Sequence, residues 1–595
     1  MVSGADANLN GQANWLSPPW TTESPAWQSI EQRLDADDLA RRVRAIVSDL
    51  DLTELRLSYL GVGKPAIPPD LMLRVVLYQM HTGQSHPCRW AKDCKSSDPV
   101  KWLAMGLEPS ASYFYAFRKR LEAHLEPWNQ QVLGSALAEG WTKGDEMSID
   151  GTFIAALGSR HRLVKSKTLE QRLEVLRQAL MADCRAARAQ AQPAVAGSGS
   201  DPQVATMNPV AATAMDVTAN PQTEAPPTAG TSASAARPPY WMATTPAGRR
   251  RQLHRYQQAQ KRLDEMLAHH ARRETHKIKR RRRSAEQVRV CLSEPEATLG
   301  RDKFKTFRPL YNLQLASDLD TSLILGHGVH ATTSDAGQFI PMVQVLGLTL
   351  GPGRKRVLVD GIYATAANLA YGEEHGVTIY APIGAEPASA PADRRATLAT
   401  KACQIAKEQF RWDAAEQTYY CPQGHRLIRM GCKAEKREQD QEVLVYRYRC
   451  PPQHCQACPI ATQCTPAPHK GRTISRSEHE EKVEALRQRM QTPEGKALYK
   501  KRGQTVEPRI GDLKAHRGLR CFAGFGIALA AIQVGLLVLI HNALCLMKLR
   551  NRAPEPTQRP APSLEAPSQR SVAVPSAVVG IHALDYHVAF PRPPN

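Results

Sequence analysis

The sequence offers little toward a secreted or membrane-embedded protein. Its first residues, Met1-Val2-Ser3-Gly4-Ala5-Asp6-Ala7-Asn8, show neither the basic start nor the apolar stretch of a signal peptide, so a cytoplasmic location is expected. Long apolar runs are scarce. The one membrane-like run, Ile527 to Ile540, is 14 residues long, is interrupted by Gln533 and is followed by His541-Asn542. That is short of the roughly 20 residues a span needs, so a helix buried on most faces inside a large domain is expected, with no membrane partner. Without an export signal, the 13 cysteines should be thiols or metal ligands rather than disulfides. Acidic side chains are in deficit, 57 against 78 Lys and Arg, leaving a formal charge of +21. Such a balance calls for a polyanionic partner, nucleic acid first and an anionic membrane surface second. The excess is uneven: Arg249 to Arg283 holds 14 basic residues against three acidic ones.

What is present suffices for a large folded protein. The 595 residues are enough for about three to four domains, and 42% hydrophobic content supports real cores. Two stretches stand out, Ser148-Ile149-Asp150-Gly151-Thr152-Phe153 and Val357-Leu358-Val359-Asp360-Gly361-Ile362-Tyr363. Each reads as a buried strand with a carboxylate where its aliphatic run stops. A carboxylate there is costly without a positive partner, and the following glycine lets the chain turn away. Two such aspartates look like half of a divalent-metal site. Ordinary strand-to-turn junctions would read the same way, since Asp-Gly is a common turn dipeptide.

In chain order, residues 1–36 are polar with scattered Pro and Trp and are expected to be disordered. Residues 37–141 read as a helical, DNA-binding domain. Asp37-Asp38 suits a helix cap, Pro68-Pro69-Asp70 opens a second helix, and Ser110 caps a third that carries Arg118, Lys119 and Arg120. A basic helix ending a small helical domain suits docking on DNA; a solvated basic face is the alternative. Leu169, Leu173, Leu176, Leu180 and Ala187 form a heptad-like stripe that Leu253, Tyr256, Leu263 and Leu267 resume. Two antiparallel helices are therefore expected in an insertion at about 160–300, bridged by an Ala-, Pro-, Thr- and Ser-rich disordered loop at about 191–246. Its basic runs, including Arg280, Arg281, Arg282 and Arg283, suit phosphate contact without base readout.

Beyond it, Leu310–Leu315 and Ser322–Leu325 read as a hairpin. Ser334-Asp335 caps a helix, the Asp360 strand follows, and a helix then leads to the strand Val377–Tyr380. Strand, helix and strand after a hairpin predict a mixed α/β sheet. Residues 401–476 carry seven cysteines, and Cys450-x4-Cys455-x2-Cys458-x5-Cys464 is a compact cluster. Four soft ligands at that spacing suit structural zinc in a small Cys-rich subdomain. Reduced thiols are the alternative, with an iron–sulfur cluster behind them. Residues 551–595 are Pro-, Ala- and Ser-rich and expected to be disordered.

The third carboxylate lies in Tyr499-Lys500-Lys501-Arg502-Gly503-Gln504-Thr505-Val506-Glu507-Pro508 … Lys514. With these residues in view, the chain resembles bacterial insertion-sequence transposases of the DDE type. The resemblance runs over most of residues 37–550. It rests on Gly63-Lys64-Pro65 … Phe117-Arg118-Lys119-Arg120-Leu121, Ile149-Asp150-Gly151-Thr152, Tyr311-Asn312-Leu313-Gln314, Asp360-Gly361-Ile362-Tyr363, the cysteine cluster, and Val506-Glu507-Pro508 … Lys514 … His541-Asn542. It implies an RNase H-like catalytic core, a mixed sheet with helices on both faces interrupted by insertions, in residues 142–400 and 477–550.

It also implies that Asp150, Asp360 and Glu507 form a catalytic triad holding two Mg²⁺ ions. Such a pair, roughly 3.5–4 Å apart, activates water and stabilises the leaving 3′-oxygen. Asp150 would bridge the ions, and all three carboxylates should be ionised beside them. Lys514, two turns beyond Glu507, would reach a phosphate. In the related pattern Tyr-x2-Arg-x3-Glu-x6-Lys, Tyr499 and Arg502 lie one residue too far upstream, so no role follows for Arg502. The glutamate helix is expected to begin or kink at Pro508. The implied activity is cleavage at element ends and strand transfer into target DNA. The partners would be double-stranded DNA, as terminal inverted repeats and target, and a second copy of the chain. A metal-dependent nuclease on the same core and a non-catalytic DNA-binding descendant are the alternatives.

Overall fold

The computed structural model describes residues 14–551 except 60, 62–63, 192–237, 276–283, 303, 352, 383–404, 406 and 437–441. Eight helices come first: α1 (Pro25–Glu31), α2 (Leu39–Asp49), α3 (Thr53–Leu57), α4 (Pro69–His81), α5 (Pro87–Ser96), α6 (Asp98–Leu103), α7 (Ala111–Arg120) and α8 (Leu125–Ala138). Their starts follow the local chemistry. Asp38 accepts a hydrogen bond from the Ala40 amide at 2.6 Å, Ser110 accepts one from Tyr113 at 3.3 Å, and Pro69 opens α4. Each such cap is worth about 1 kcal/mol. Residues 14–36 depart from the expected disorder. Pro25 starts α1, and Trp27 is buried in a stacked contact with Trp102, ring centroids 5.3 Å apart. An aromatic pair of that kind outweighs the polar composition around it.

The carboxylates sit on a six-stranded mixed sheet. In chain order come β1 (Glu146–Ala155), β2 (Leu163–Val164), α9 (Ser166–Ala191), α10 (Pro246–Thr275), β3 (Val290–Cys291), β4 (Thr298–Arg301), β5 (Phe307–Asp318) and β6 (Ile324–His330). There follow α11 (Phe339–Leu350), β7 (Lys355–Leu358), α12 (Ala366–Glu374) and β8 (Val377–Tyr380). The order across the main sheet is β4-β5-β1-β7-β8, with β6 also paired to β5. β1 is antiparallel to β5, Asp150 facing Leu315, and parallel to β7, Ser148 facing Leu358. The hairpin β5–β6 and the succession β7–α12–β8 match the expected mixed α/β arrangement. The same pairing corrects one expectation: Asp150 is not at a strand end. Because β5 pairs with β1 as far as Ala155, the ladder carries the strand five residues past Asp150.

The expected helical pair is present. Leu169, Leu173 and Leu176 of α9 bury against Tyr256, Ala259 and Leu263 of α10, and Asp183 late in α9 meets Arg249 early in α10 at 2.5 Å, an antiparallel arrangement. The low-complexity bridge at 192–237, Arg280 to Arg283, and all of the tail beyond residue 551 lie outside the described residues.

The chain continues through β9 (Arg411–Asp413), β10 (Thr418–Tyr420), β11 (Ile428–Lys436) and β12 (Glu442–Arg449). Next are α13 (Pro452–Gln456), α14 (Ala461–Cys464), β13 (Thr473–Ser477) and α15 (Glu480–Gln491). Last come α16 (Pro493–Lys500), α17 (Arg502–Ala515) and α18 (Ile527–Arg550). By length and composition α18 could cross a membrane, but 72% of its apolar stretch is buried inside the protein. Its polar residues explain the register. Gln533 accepts the Ala523 amide at 2.8 Å, and Asn542 pairs with both backbone groups of Ile324 on β6, each at 2.8 Å. α17 starts at Arg502 and runs through Pro508 without a break in the helical assignment. The helix therefore does not begin at Pro508, and Val506 and Leu513 on either side are both buried and hold it against the body.

Candidate active site

Three elements bring the acidic side chains together. Asp150 projects from the middle of β1. Asp360 follows the end of β7, where its side chain accepts the Gly361 amide at 2.6 Å and starts a single turn. Glu507 stands on α17, which packs against β1 and β5. Arg502, at the first turn of α17, lies between them. Its guanidinium meets Asp150 at 3.0 Å and Glu507 at 2.9 Å. Asp360 is near enough for its charge to act on both Asp150 and Arg502.

Burial pushes the Asp150 carboxyl above its ordinary range; Arg502 opposes this, while Asp360 and Asp335 add to it. Burial works against the Arg502 charge, yet the surrounding carboxylates, Asp150 foremost, hold its pKa above the usual value. The site is therefore acidic and contains one cation that the chain itself supplies. Arg502, assigned no role from the motif offset, sits at its centre. The extra residue lies between Arg502 and Glu507, within the continuous helix α17, and Tyr499 also lies within electrostatic reach of all three carboxylates.

A buried polar network fixes the two aspartate-bearing elements. Tyr363, three residues after Asp360, donates to Gln314 Oε1 at 2.6 Å. Gln314 Nε2 donates to Asn312 Oδ1 and to Asp335 Oδ1, both at 2.8 Å, and Asn312 Nδ2 donates to the same Asp335 oxygen at 2.8 Å. Gly151 is required by this crowding: a Cβ there would lie 2.2 Å from Gln314 Nε2 and 2.3 Å from Asp335 Oδ1. Asp335 was legible only as a helix cap; its place beside Asp150 depends on the β5–β6 hairpin and the turn that follows.

The basic residues separate into different situations. Lys514 donates to Thr152 Oγ1 and to the Phe153 carbonyl at 3.4 Å, so it faces β1 just beyond Asp150. Arg118 is 3% exposed and donates to the Ala523 carbonyl at 3.3 Å. It is committed to packing rather than to an outside phosphate, because α7 turns that position inward with Phe114 and Phe117. Lys119 and Arg120 are exposed. Arg120 lies over the Tyr59 ring at 4.0 Å and donates to the Ser58 carbonyl at 2.7 Å.

In the Cys-rich segment, Cys450, Cys455, Cys458 and Cys464 line a cavity of about 20 Å³, and Cys421 and His425 join them. The Cys421 sulfur accepts the His425 amide at 3.3 Å and the Cys455 sulfur accepts the Arg472 amide at 3.5 Å. Burial, then Cys455 and Cys421, push the Cys450 thiol up. Among the described residues, no group of three or more His, Cys, Asp or Glu side chains is arranged to hold a metal ion, here or at the carboxylates.

Fold and site thus define a basic, mixed α/β protein in which distant acidic residues meet around one guanidinium on a sheet. Residues 420–547 match the family model described as a transposase DDE domain, and residues 28–120 match a transposase domain (DUF772). Both matched stretches are described as transposase domains, and together they support an insertion-sequence transposase of the DDE type. The first match contains Glu507, Lys514 and the cysteine cluster; Asp150 and Asp360 fall between the two matched stretches. No curated protein and no solved structure matches the chain.

Proposed function

We propose that the chain is a transposase that cuts DNA at element ends and joins the freed ends to target DNA, using Asp150, Asp360 and Glu507. The observation that carries this reading is the meeting of Asp150 and Glu507, 357 positions apart in the sequence, on one guanidinium, with Asp360 within electrostatic reach of it. The strand order supports an RNase H-like core: an antiparallel β5–β1 pair followed by parallel β7 and β8. The N-terminal helices would form the DNA-binding domain and α9–α10 an inserted arm.

The donor set suits Mg²⁺, a hard cation that takes carboxylate oxygens and keeps several waters. When bound, two such ions would activate a water or a 3′-hydroxyl and stabilise the leaving oxygen. Arg502 spans Asp150 and Glu507 where positive charge is needed, so it must turn aside before those carboxylates can serve as ligands. Turned toward the substrate, its planar fork suits a DNA phosphate. Lys514, which lies against Thr152 and Phe153 of β1, would hold the next phosphate. A structural zinc ion on Cys450, Cys455, Cys458 and Cys464 is a separate reading, supported by donor type and a shared cavity. The thiols as they stand do not present three ligands to one point, so no role is built on it; zinc content of the purified chain tests it.

The experiment for the main reading is incubation of the full chain with element-end DNA and Mg²⁺. Cleavage with joining is expected. Cleavage without joining favours a nuclease on the same core, and binding alone rejects the catalytic reading.

A further inference from the structure

The geometry points to a second DNA-contacting site: a cavity in the α9–α10 arm that takes one unpaired nucleotide, its base out of the stack and its phosphate on arginines. This rests on the DNA reading above and deepens it. The cavity has a volume of about 290 Å³ and is bounded by β2, α9, the Tyr240-Trp241 turn and α10. Arg162, Arg172 and Arg255 line it together with Tyr240, Trp241 and Tyr256, and among the described residues no Asp or Glu does.

The arrangement of charge marks this cavity. On the same two helices Arg177, Arg249 and Arg262 have acidic partners, Glu174, Asp183 and Glu265, while Arg185, Arg188, Arg250 and Arg251 form no ion pair among the described residues and do not line the cavity. Among the described residues, none of the three cavity arginines forms an ion pair. Three unneutralised guanidiniums facing one concave space attract an anion, and their forks suit phosphate.

The walls narrow the class of anion. Trp241 and Tyr256 stack with centroids 6.2 Å apart and planes 28° from parallel, and the Arg172 guanidinium lies 5.2 Å from the Trp241 centroid. Gln252, 4% exposed, holds this wall by donating to the Trp241 carbonyl at 2.8 Å and to the Tyr256 hydroxyl at 3.0 Å. Tyr240, at 95% exposure, stands at the rim with its ring uncovered. Aromatic faces beside guanidiniums accept a planar base in a sequence-tolerant way. The volume is near the lower end for ligand pockets, roughly 300 Å³, enough for one nucleotide and too little for a base pair. Reaching it requires a nucleotide extruded from the duplex, easiest where the base is unpaired.

The test uses the full-length protein with EDTA, so its outcome does not depend on cleavage. A duplex carrying one unpaired 5-iododeoxyuridine is irradiated with the protein and the adduct mapped by mass spectrometry; attachment to Tyr240 or Trp241 is expected. In parallel, fluorescence anisotropy compares this bulged duplex with its fully paired counterpart. The double variant Arg162→Ala/Arg255→Ala, which changes two exposed side chains, is expected to weaken the bulged duplex on the order of tenfold and the paired one far less. Equal weakening of both duplexes, or adducts only elsewhere, overturns the proposal. Displacement of the adduct by dAMP but not by bulged duplex would also overturn it, making a free nucleotide the ligand. An intact adduct in a chain that never cleaves DNA would reject the catalytic reading while leaving this one standing.

Discussion

The carboxylate site and the cationic cavity are opposite solutions to placing charge in a fold. At the first, Arg502 meets Asp150 and Glu507 at about 3 Å, so part of the charge is balanced within the chain. At the second, three arginines surround a cavity with no acid among its described lining residues. A balanced cluster is stable without its ligand but has to exchange an internal partner for it. An unbalanced one keeps its full attraction for an incoming anion. The difference lies in whether the partner charge comes from the chain or from outside.

The strongest way to break this comparison is to remove the acids. Asp150→Ala, Asp360→Ala and Glu507→Ala should each lower Mg²⁺-dependent cleavage of element-end DNA by a thousandfold or thereabouts, on the order of what losing a preorganised charged group costs. Filter-binding affinity for the same DNA should stay nearly unchanged, and a variant that still cleaves well would drop out of the site.

Next in size is Arg502→Ala. With the competing guanidinium gone, Mn²⁺ should bind roughly tenfold more tightly, about 1.4 kcal/mol, as read by isothermal titration calorimetry. Weaker Mn²⁺ binding would mean that Arg502 organises the carboxylates rather than occupying their centre.

A smaller effect is expected at Asp335. Asp335→Ala leaves the Asn312 and Gln314 amides without their shared acceptor, a loss of about 1–3 kcal/mol in urea unfolding. Asp335→Asn keeps an oxygen there and should recover most of it. If both variants are equally unstable, the charge rather than the hydrogen bonds carries the contribution.

The smallest is a pH effect at Asp150. Its folded pKa lies above the ordinary 3.8, so the folded state holds this proton more tightly than the unfolded one. Stability from this group is then highest at or below 3.8, falls as pH rises through the folded value, and stays reduced at neutral pH. Asp150→Asn should lack that fall when thermal melts are compared between acidic and neutral pH; identical profiles would show that Arg502 cancels the burial cost.

Much of the frame was legible along the chain. The hairpin read at Leu310–Leu315 and Ser322–Leu325, the Asp360 strand end, the cap at Ser110 and the α9–α10 stripe all follow from local periodicity and capping. Tertiary context overrode the rest at identifiable residues. Gly151 reads as a turn, but nine paired positions with β5 keep it in a strand. Arg118 reads as part of a basic face, but its position on α7 points inward toward Ala523. Trp27 lies in a polar stretch and becomes core because Trp102 is there to receive it. Asp335 carries no local sign of its neighbours.

The sequence by itself determined the chemistry: a basic excess that calls for a polyanion, three carboxylates in order, and strands and helices in an alternation that makes a mixed sheet. Those depend on composition and short-range pattern, which the chain carries at every point. Only the tertiary structure decided which charges meet. Arg502 against Asp150, Asp335 against Gly151 and arginines left unpaired in the arm are relations across tens to hundreds of residues, set by strand register and helix packing rather than by any local run.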